Sequence, residues 1–327
     1  MKLPIKKNIL DTFKHLICFM SIFLFFSFFG KTREVSQEES RIELTREEIK
    51  EIRDAFIETH CNQPVVGKLE LTSEERIWMT KFFTEILLEQ HAIYTLWGSK
   101  PISLIIIDEY TNEEVDAYYN SLSEEEKKNI VTLIDAVYDF PENWRKWEKI
   151  SSRFPTKKFL FFKSNLHKDP RATFIYFVNI LNTAFVIEDH YALFRKTVGF
   201  DFNPLEVVLE ITNKDSKFWK KAINSALLSG ILFGYGKKNA LTFHWKHFDH
   251  PSNCANFLDS YKHRESNPLP SSQRKEFYSI QNFPIPSFIS FDDNDEVVEK
   301  YKKERAYIQE VYKDKDFLDV TLEKLTR

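Results

Sequence analysis

Apolar positions along this chain follow two rhythms, one at the helical repeat and one continuous, and the changes from one to the other outline a fold. Over 73–90 the residues Trp78, Met79, Phe82, Phe83, Ile86 and Leu87 recur at helical spacing between charged neighbours, which predicts a core-facing helix. Another is predicted from Thr45, where Thr45-Arg-Glu-Glu48 forms a capping box ahead of Ile49, Ile52, Ala55 and Phe56. The rhythm then changes. Ile93-Tyr-Thr-Leu-Trp97 and Ile102-Ser-Leu-Ile-Ile-Ile107 are β-branched and aromatic runs around the turn cluster Gly98-Ser-Lys-Pro101, and they predict two strands. The runs 158–163 and 173–180, joined across Asp169-Pro170, predict a hairpin.

Helical spacing predicts further helices over about 113–137, 182–197, 204–212, 216–233, 293–312 and 316–325. The third of these starts behind Asp201 and Asn203 with Pro204 in its first turn. Residues 264–286 gather Ser, Asn, Gln and four prolines, at 268, 270, 284 and 286, and predict an irregular surface connection. The fold expected is α+β, mainly helical with a small antiparallel sheet, plus an N-terminal apolar helix. Residues 45–263 form the helix-rich body, and 264–327 add the connection and C-terminal helices packing on it.

The N-terminus carries a different signal. Lys2, Lys6, Lys7 and Lys14 precede Leu16 to Phe29, an apolar run broken only by Ser21 and Ser27. As a helix its fourteen residues would rise about 21 Å, short of the roughly 30 Å hydrocarbon core. A basic region followed by an apolar one is the order of a signal sequence, but no small-x-small cleavage site follows, since Phe28 would stand at −3 and the first alanine is Ala55. Residues 1–30 are therefore expected to act as an uncleaved signal anchor or as a signal peptide, with 31–44 as a polar linker. The rival reading is a buried helix of a soluble body. Basic residues on the two flanks nearly balance, and the Glu34, Glu38 and Glu39 interleaved downstream favour a cytoplasmic N-terminus. The localisation expected is membrane, through 16–29, with the body periplasmic or extracellular.

Composition narrows the function classes. A net charge of −3 with dispersed Lys and Arg gives no basic face for nucleic acid, and only 7 glycines in 327 residues argue against architectures built on glycine-rich phosphate turns. The cysteines, at 18, 61 and 254, are too few for a disulfide scaffold or zinc knuckle; Cys61 and Cys254 would either pair, if exported, or remain buried thiols.

Several motifs invite a chemical reading. Ser103-Leu-Ile-Ile-Ile-Asp108-Glu109 has the shape of a Walker B strand, yet its partner loop is missing: Gly230 and Gly236-Lys237 are separated by five residues where the pattern takes four, and Lys238 stands in place of Ser or Thr. The alternative makes Asp108 and Glu109 the polar end of a buried strand. Gly234-Tyr-Gly236 more simply ends a helix and turns the chain. His244, His247 and His250, with Cys254 beyond, are the densest set of candidate metal ligands. His244 and His247 can share a helix face, but His250 turns a further ~60° away and directly precedes Pro251. Glu188, Asp189 and His190 point about 100° apart on a helix and cannot converge, and Asp292, Asp293, Asn294 and Asp295 lack the central glycine of a calcium loop and are expected to cap the next helix. No cofactor is expected.

The segments Ala92-Ile-Tyr-Thr-Leu-Trp-Gly-Ser-Lys-Pro101, Ser229-Gly-Ile-Leu-Phe-Gly-Tyr-Gly-Lys-Lys-Asn-Ala240, Tyr301-Lys-Lys-Glu-Arg-Ala and Asp316-Phe-Leu-Asp-Val-Thr-Leu resemble those of a group of uncharacterised proteins from chlamydia-like bacteria, with Trp97 where a phenylalanine is expected. The resemblance spans most of 45–327. It implies a bacterial setting and no particular activity. The expected function is thus that of a membrane-anchored or exported non-catalytic binding or envelope protein with an unidentified protein partner. The alternatives are a metal-dependent hydrolase using the histidine cluster and a secreted protein acting on a host partner.

Overall fold

The computed structural model describes residues 70–108, 140–164, 172–249, 278–291 and 294–327, with positions 117, 120, 121, 166, 264 and 265. The apolar run 16–29, all three cysteines, the helix predicted from Thr45 and nearly all of that predicted over 113–137 lie outside the described residues.

A mainly helical protein encloses a small three-stranded antiparallel sheet. Strands β1 (Ile102–Asp108), β2 (Phe159–Lys163) and β3 (Ala172–Asn179) lie in the order β1-β3-β2, with Ile105 opposite Ile175 and Phe161 opposite Phe177. The predicted 158–163/173–180 hairpin is the β2–β3 pair. Because side chains alternate across a strand, β3 feeds two cores: Ile175 and Phe177 face one, Tyr176 and Val178 the other. Burial on both faces explains why β3 reads as an unbroken apolar run instead of an alternating one.

The first core belongs to helices from the two ends of the chain. Helix α1 (Ser73–Thr84) starts at Thr72, whose hydroxyl accepts from Glu75 N–H while the Glu75 carboxylate accepts from Thr72 N–H. It runs on as a π turn, Glu85–Glu89. Phe82 is fully buried on it and packs against Phe140, Trp144, Trp147 and Phe161, the first three from a helix, α3, over 140–150.

Between them the structure departs from expectation, because Ile93-Tyr-Thr-Leu forms a short helix, α2 (Ile93–Leu96), and not a strand. All four residues are buried, so the alternating exposure of a strand gives no advantage. His91, at φ 58, redirects the chain after the π turn, and the α2 region closes its own bonds, Leu96 N–H to Ala92 C=O and Trp97 N–H to Ile93 C=O. A Thr95–Ser103 hydroxyl contact of 2.8 Å then ties α2 to β1.

The second core is covered by a succession of short helices: α4 (Ile180–Asp189), α5 (Tyr191–Val198), α6 (Pro204–Leu209), α7 (Lys217–Ala222), α8 (Ala226–Leu232) and α9 (Lys237–His244). The single helix predicted over 182–197 is two, broken at His190, whose ψ of 22° leaves the helical range. The break lets Ile187 and Phe194 both bury fully. Likewise 216–233 divides at Ser225, which leaves the helical conformation and caps α8 through Leu228 N–H.

Of the irregular connection predicted over 264–286, the described residues 278–286 are irregular, but Arg264–Glu265 form a short strand, β4, that pairs with β5 (Ile289–Ser290). Helices α10 (Glu296–Tyr312) and α11 (Phe317–Thr326) close the first core, and Arg76 of α1 holds Asp316 and Asp319 at 3.0 and 2.8 Å. No helix among the described residues is long and apolar enough to cross a membrane.

Candidate functional site

A densely bonded polar region lies where α2 and its following turn, the α8–α9 turn and α10 meet. Three segments distant in sequence are drawn together there. Gly234 ends α8 with φ 80, and its carbonyl accepts from the Tyr301 hydroxyl at 2.9 Å. A methyl group at Gly234 would collide with that hydroxyl and press on Lys100 and Pro101, so both conformation and space require glycine. Tyr301 packs edge-on to Tyr94 at 5.2 Å, and the Tyr94 hydroxyl donates to Pro284 C=O at 3.1 Å. Glu304, one turn along α10, accepts from Ser99 N–H at 3.1 Å.

The turn itself is held from the other side by α4. Asn182 Nδ2 donates to Gly98 C=O at 3.0 Å, and the Thr183 hydroxyl and Asn179 N–H donate to Pro101 C=O at 3.1 and 2.9 Å. Trp97 donates its indole N–H to the Tyr312 hydroxyl at 2.9 Å, which meets Thr321 at 3.0 Å. The phenylalanine expected at 97 has no such donor. Burial raises the pKa of the Tyr94 and Tyr301 phenols, and pushes Tyr312 up to about 12, so all three stand as neutral hydroxyls at neutral pH.

A second polar cluster anchors α10. Asp295 Oδ2 accepts from Ser290 Oγ at 2.6 Å and from Asn239 Nδ2 at 2.7 Å, while its Oδ1 caps the helix through Val297 N–H at 2.8 Å. Asn239 also donates to Tyr235 C=O at 3.0 Å. Ser290, Asn239 and Asp295 are buried, and the serine donates to a carboxylate that two other donors already occupy; without a histidine beside it, this is a structural clasp.

The motifs singled out by sequence fall elsewhere. Gly230 lies inside α8, and the N–H groups of Phe233, Gly234 and Tyr235 are returned to Ser229, Ile231 and Gly230 carbonyls, so these three do not cradle a phosphate. Ser103 of the Walker-like strand is spent on Thr95; Asp108 ends β1, and Glu109 lies outside the described residues. His244 is the last residue of α9 and His247 sits in the π turn Trp245–Asp249, its ring against Phe243 at 4.4 Å. His250 and Cys254 lie outside the described residues, among which no group of three or more His, Cys, Asp or Glu gathers as metal ligands. Glu188 and Asp189 stay on α4 while His190 lies at the break between α4 and α5. Of the acidic run 292–295, Asp295 is the cap that was expected, and Asp292 and Asp293 lie outside the described residues.

His91 has an electrostatic role that its sequence neighbourhood does not disclose. Burial first, then the Lys100 charge, lowers its pKa from the usual value near 6.5 to about 3, against a smaller opposing effect of the Leu88 carbonyl. Unfolded His91 takes up a proton as pH falls through about 6.5, whereas folded His91 waits until about 3. Its contribution to stability is therefore complete above about 6.5 and lost progressively toward 3. Replacing His91 with Asn, which tolerates positive φ, should flatten the fall in stability between those limits as followed by urea denaturation at stepped pH. An unchanged slope would assign the acid sensitivity to other groups.

An apolar void between Phe83, Ile86, Leu87, Phe161, Phe177 and Leu325 is about large enough for a single water, and with no polar lining beyond Thr321 it is a packing defect and not a ligand pocket. No protein-family model, curated protein or solved structure matches this chain.

Proposed function

We propose that this is a non-catalytic binding protein of a bacterial envelope, tethered through 16–29 with its body outside the cytoplasm. The observation that carries the reading is the order of the N-terminus, Lys2, Lys6, Lys7 and Lys14 followed by the apolar run from Leu16 to Phe29. The resemblance to proteins from chlamydia-like bacteria adds the bacterial setting. The body supports the reading as well: Tyr301, Asp295, Asn239 and Ser290 commit their polar groups to holding helices together. A display scaffold needs that rigidity.

A reporter active only outside the cytoplasm, fused after Arg327, tests this directly. Activity of the fusion in the membrane fraction is the expected result, and an intact but silent fusion would reject the orientation. Recovery of the protein free in the medium would replace the tether by secretion toward a host partner. Stoichiometric transition metal on the purified chain, lost on replacing His244 and His247, would reject the non-catalytic reading in favour of a metal-dependent hydrolase.

A further inference from the structure

The peptide bond between Gly98 and Ser99 is gripped on both sides. Asn182 Nδ2 donates to the Gly98 carbonyl oxygen at 3.0 Å, and the Ser99 N–H donates to Glu304 Oε1 at 3.1 Å. The other carboxylate oxygen, Glu304 Oε2, lies against Gly98, where a methyl group would collide with it, so this close approach needs glycine. Gly98 N–H and Lys100 N–H both return to Tyr94 C=O, at 3.0 and 3.2 Å, which fixes the turn around the bond. Two buried polar atoms of the turn nonetheless have no hydrogen-bond partner among the described residues: Ser99 Oγ and Glu304 Oε2. Both border the same peptide bond. Burying such groups unpaired is unfavourable, and packing alone supplies no reason for it.

We propose that the chain cleaves its own backbone between Gly98 and Ser99 by an N-to-O acyl shift, with water as the co-reactant. A serine oxygen is joined to the preceding carbonyl carbon through Cβ, Cα and N alone, so its attack closes a five-membered ring and asks only for rotation of the side chain. Ser99 Oγ adds to the Gly98 carbonyl carbon and gives its proton to the Glu304 carboxylate, while the C=O electron pair moves onto the oxygen that Asn182 Nδ2 holds. As the carbonyl re-forms, the Gly98 C to Ser99 N bond breaks. Its electron pair stays on nitrogen, which takes the proton back from Glu304. The product is an ester between the Gly98 carboxyl and the Ser99 hydroxyl, with a free amine on Ser99. Water then hydrolyses the ester, leaving a carboxyl on Gly98 and restoring the hydroxyl. The reaction runs once on the protein itself, so it adds processing to a binding protein without giving it turnover.

The test follows the purified full chain, in detergent at neutral pH, by denaturing electrophoresis and intact mass. Conversion into pieces 1–98 and 99–327 is the expected result, the two staying together under native conditions because Asn179 and Tyr312 still hold Thr95 and Trp97. Hydroxylamine should speed the scission by intercepting the ester, leaving a hydroxamate on Gly98; the chain has no Asn-Gly bond, its usual other target. S99A should stop the reaction and melt no lower than the parent, since the hydroxyl has no bond to lose. S99C should restore it in a form that added thiol accelerates, because the ester becomes a thioester. N182A and E304Q should each slow it by at least about tenfold, the glutamine keeping an oxygen for the Ser99 N–H. Hydroxamate without spontaneous scission would support the shift and make hydrolysis the slow step. A chain that stays whole with and without hydroxylamine, or scission that persists in S99A, would overturn the proposal.

Discussion

Replacing Phe82 with alanine is expected to lower the unfolding free energy by about 3–5 kcal/mol, the range for emptying a buried aromatic site that cannot collapse. Phe82 has no exposed surface, and its ring meets Phe83 at 5.3 Å, Phe140 at 5.8 Å, Trp147 at 5.9 Å and Phe161 at 6.3 Å. These neighbours come from α1, α3 and β2, so one truncation strips contacts from three elements at once. The neighbouring rings are themselves wedged: Trp147 packs against Phe154 at 5.3 Å and Trp144 against Phe161 at 5.0 Å, which leaves them little freedom to move into the space. Urea denaturation followed by tryptophan fluorescence would register the loss. Phe82→Leu, which refills most of the volume, should cost less than half as much. If alanine and leucine cost the same, the site would be relaxing, and the aromatic cluster would not be the organising centre of the first core.

Much of this cluster was legible in the sequence. Trp78, Met79, Phe82 and Phe83 recur at the spacing of a helix face, and a face so rich in aromatic residues has to be buried. The β2–β3 hairpin was legible too, because two apolar runs flank Asp169-Pro170. Ile93-Tyr-Thr-Leu misled for a physical reason: β-branched composition marks a side chain that packs well when buried, and full burial is compatible with one helical turn as well as with a strand. The breaks at His190 and Ser225 left no glycine or proline as a mark, since each is set by the need to aim two apolar faces at one core. The junction at the 97–101 turn could not be read at all. Ser99, Gly234 and Tyr301 lie far apart in the chain, and nothing local to any of them marks the bonds by which α10 joins the two turns.

Asp295 shows the same limit within a single residue, and it carries the second large effect. The run 292–295 was expected to cap the next helix, and Asp295 does so, with Oδ1 on Val297 N–H. Its other oxygen serves Ser290 in β5 and Asn239 in α9, a role no local pattern reveals. Replacing Asp295 with alanine should therefore cost more than a lost cap. The cap accounts for about 1 kcal/mol, and leaving the Asn239 amide and the Ser290 hydroxyl buried without their charged acceptor adds about 2–3 kcal/mol more. Hydrogen exchange should quicken in the first turns of α10 and in β5 while β3 stays protected, because the clasp joins α9, β5 and α10 without touching the three-stranded sheet. Asp295→Asn separates the two roles. Its side-chain oxygen can still cap α10, and its amide can donate to Ser290 Oγ but would face the Asn239 amide donor to donor, so the loss should fall between the parent and alanine. An asparagine variant as stable as the parent would mean that α10 is held by Tyr301, Glu304 and the aromatic contacts alone, and that the carboxylate is only a cap.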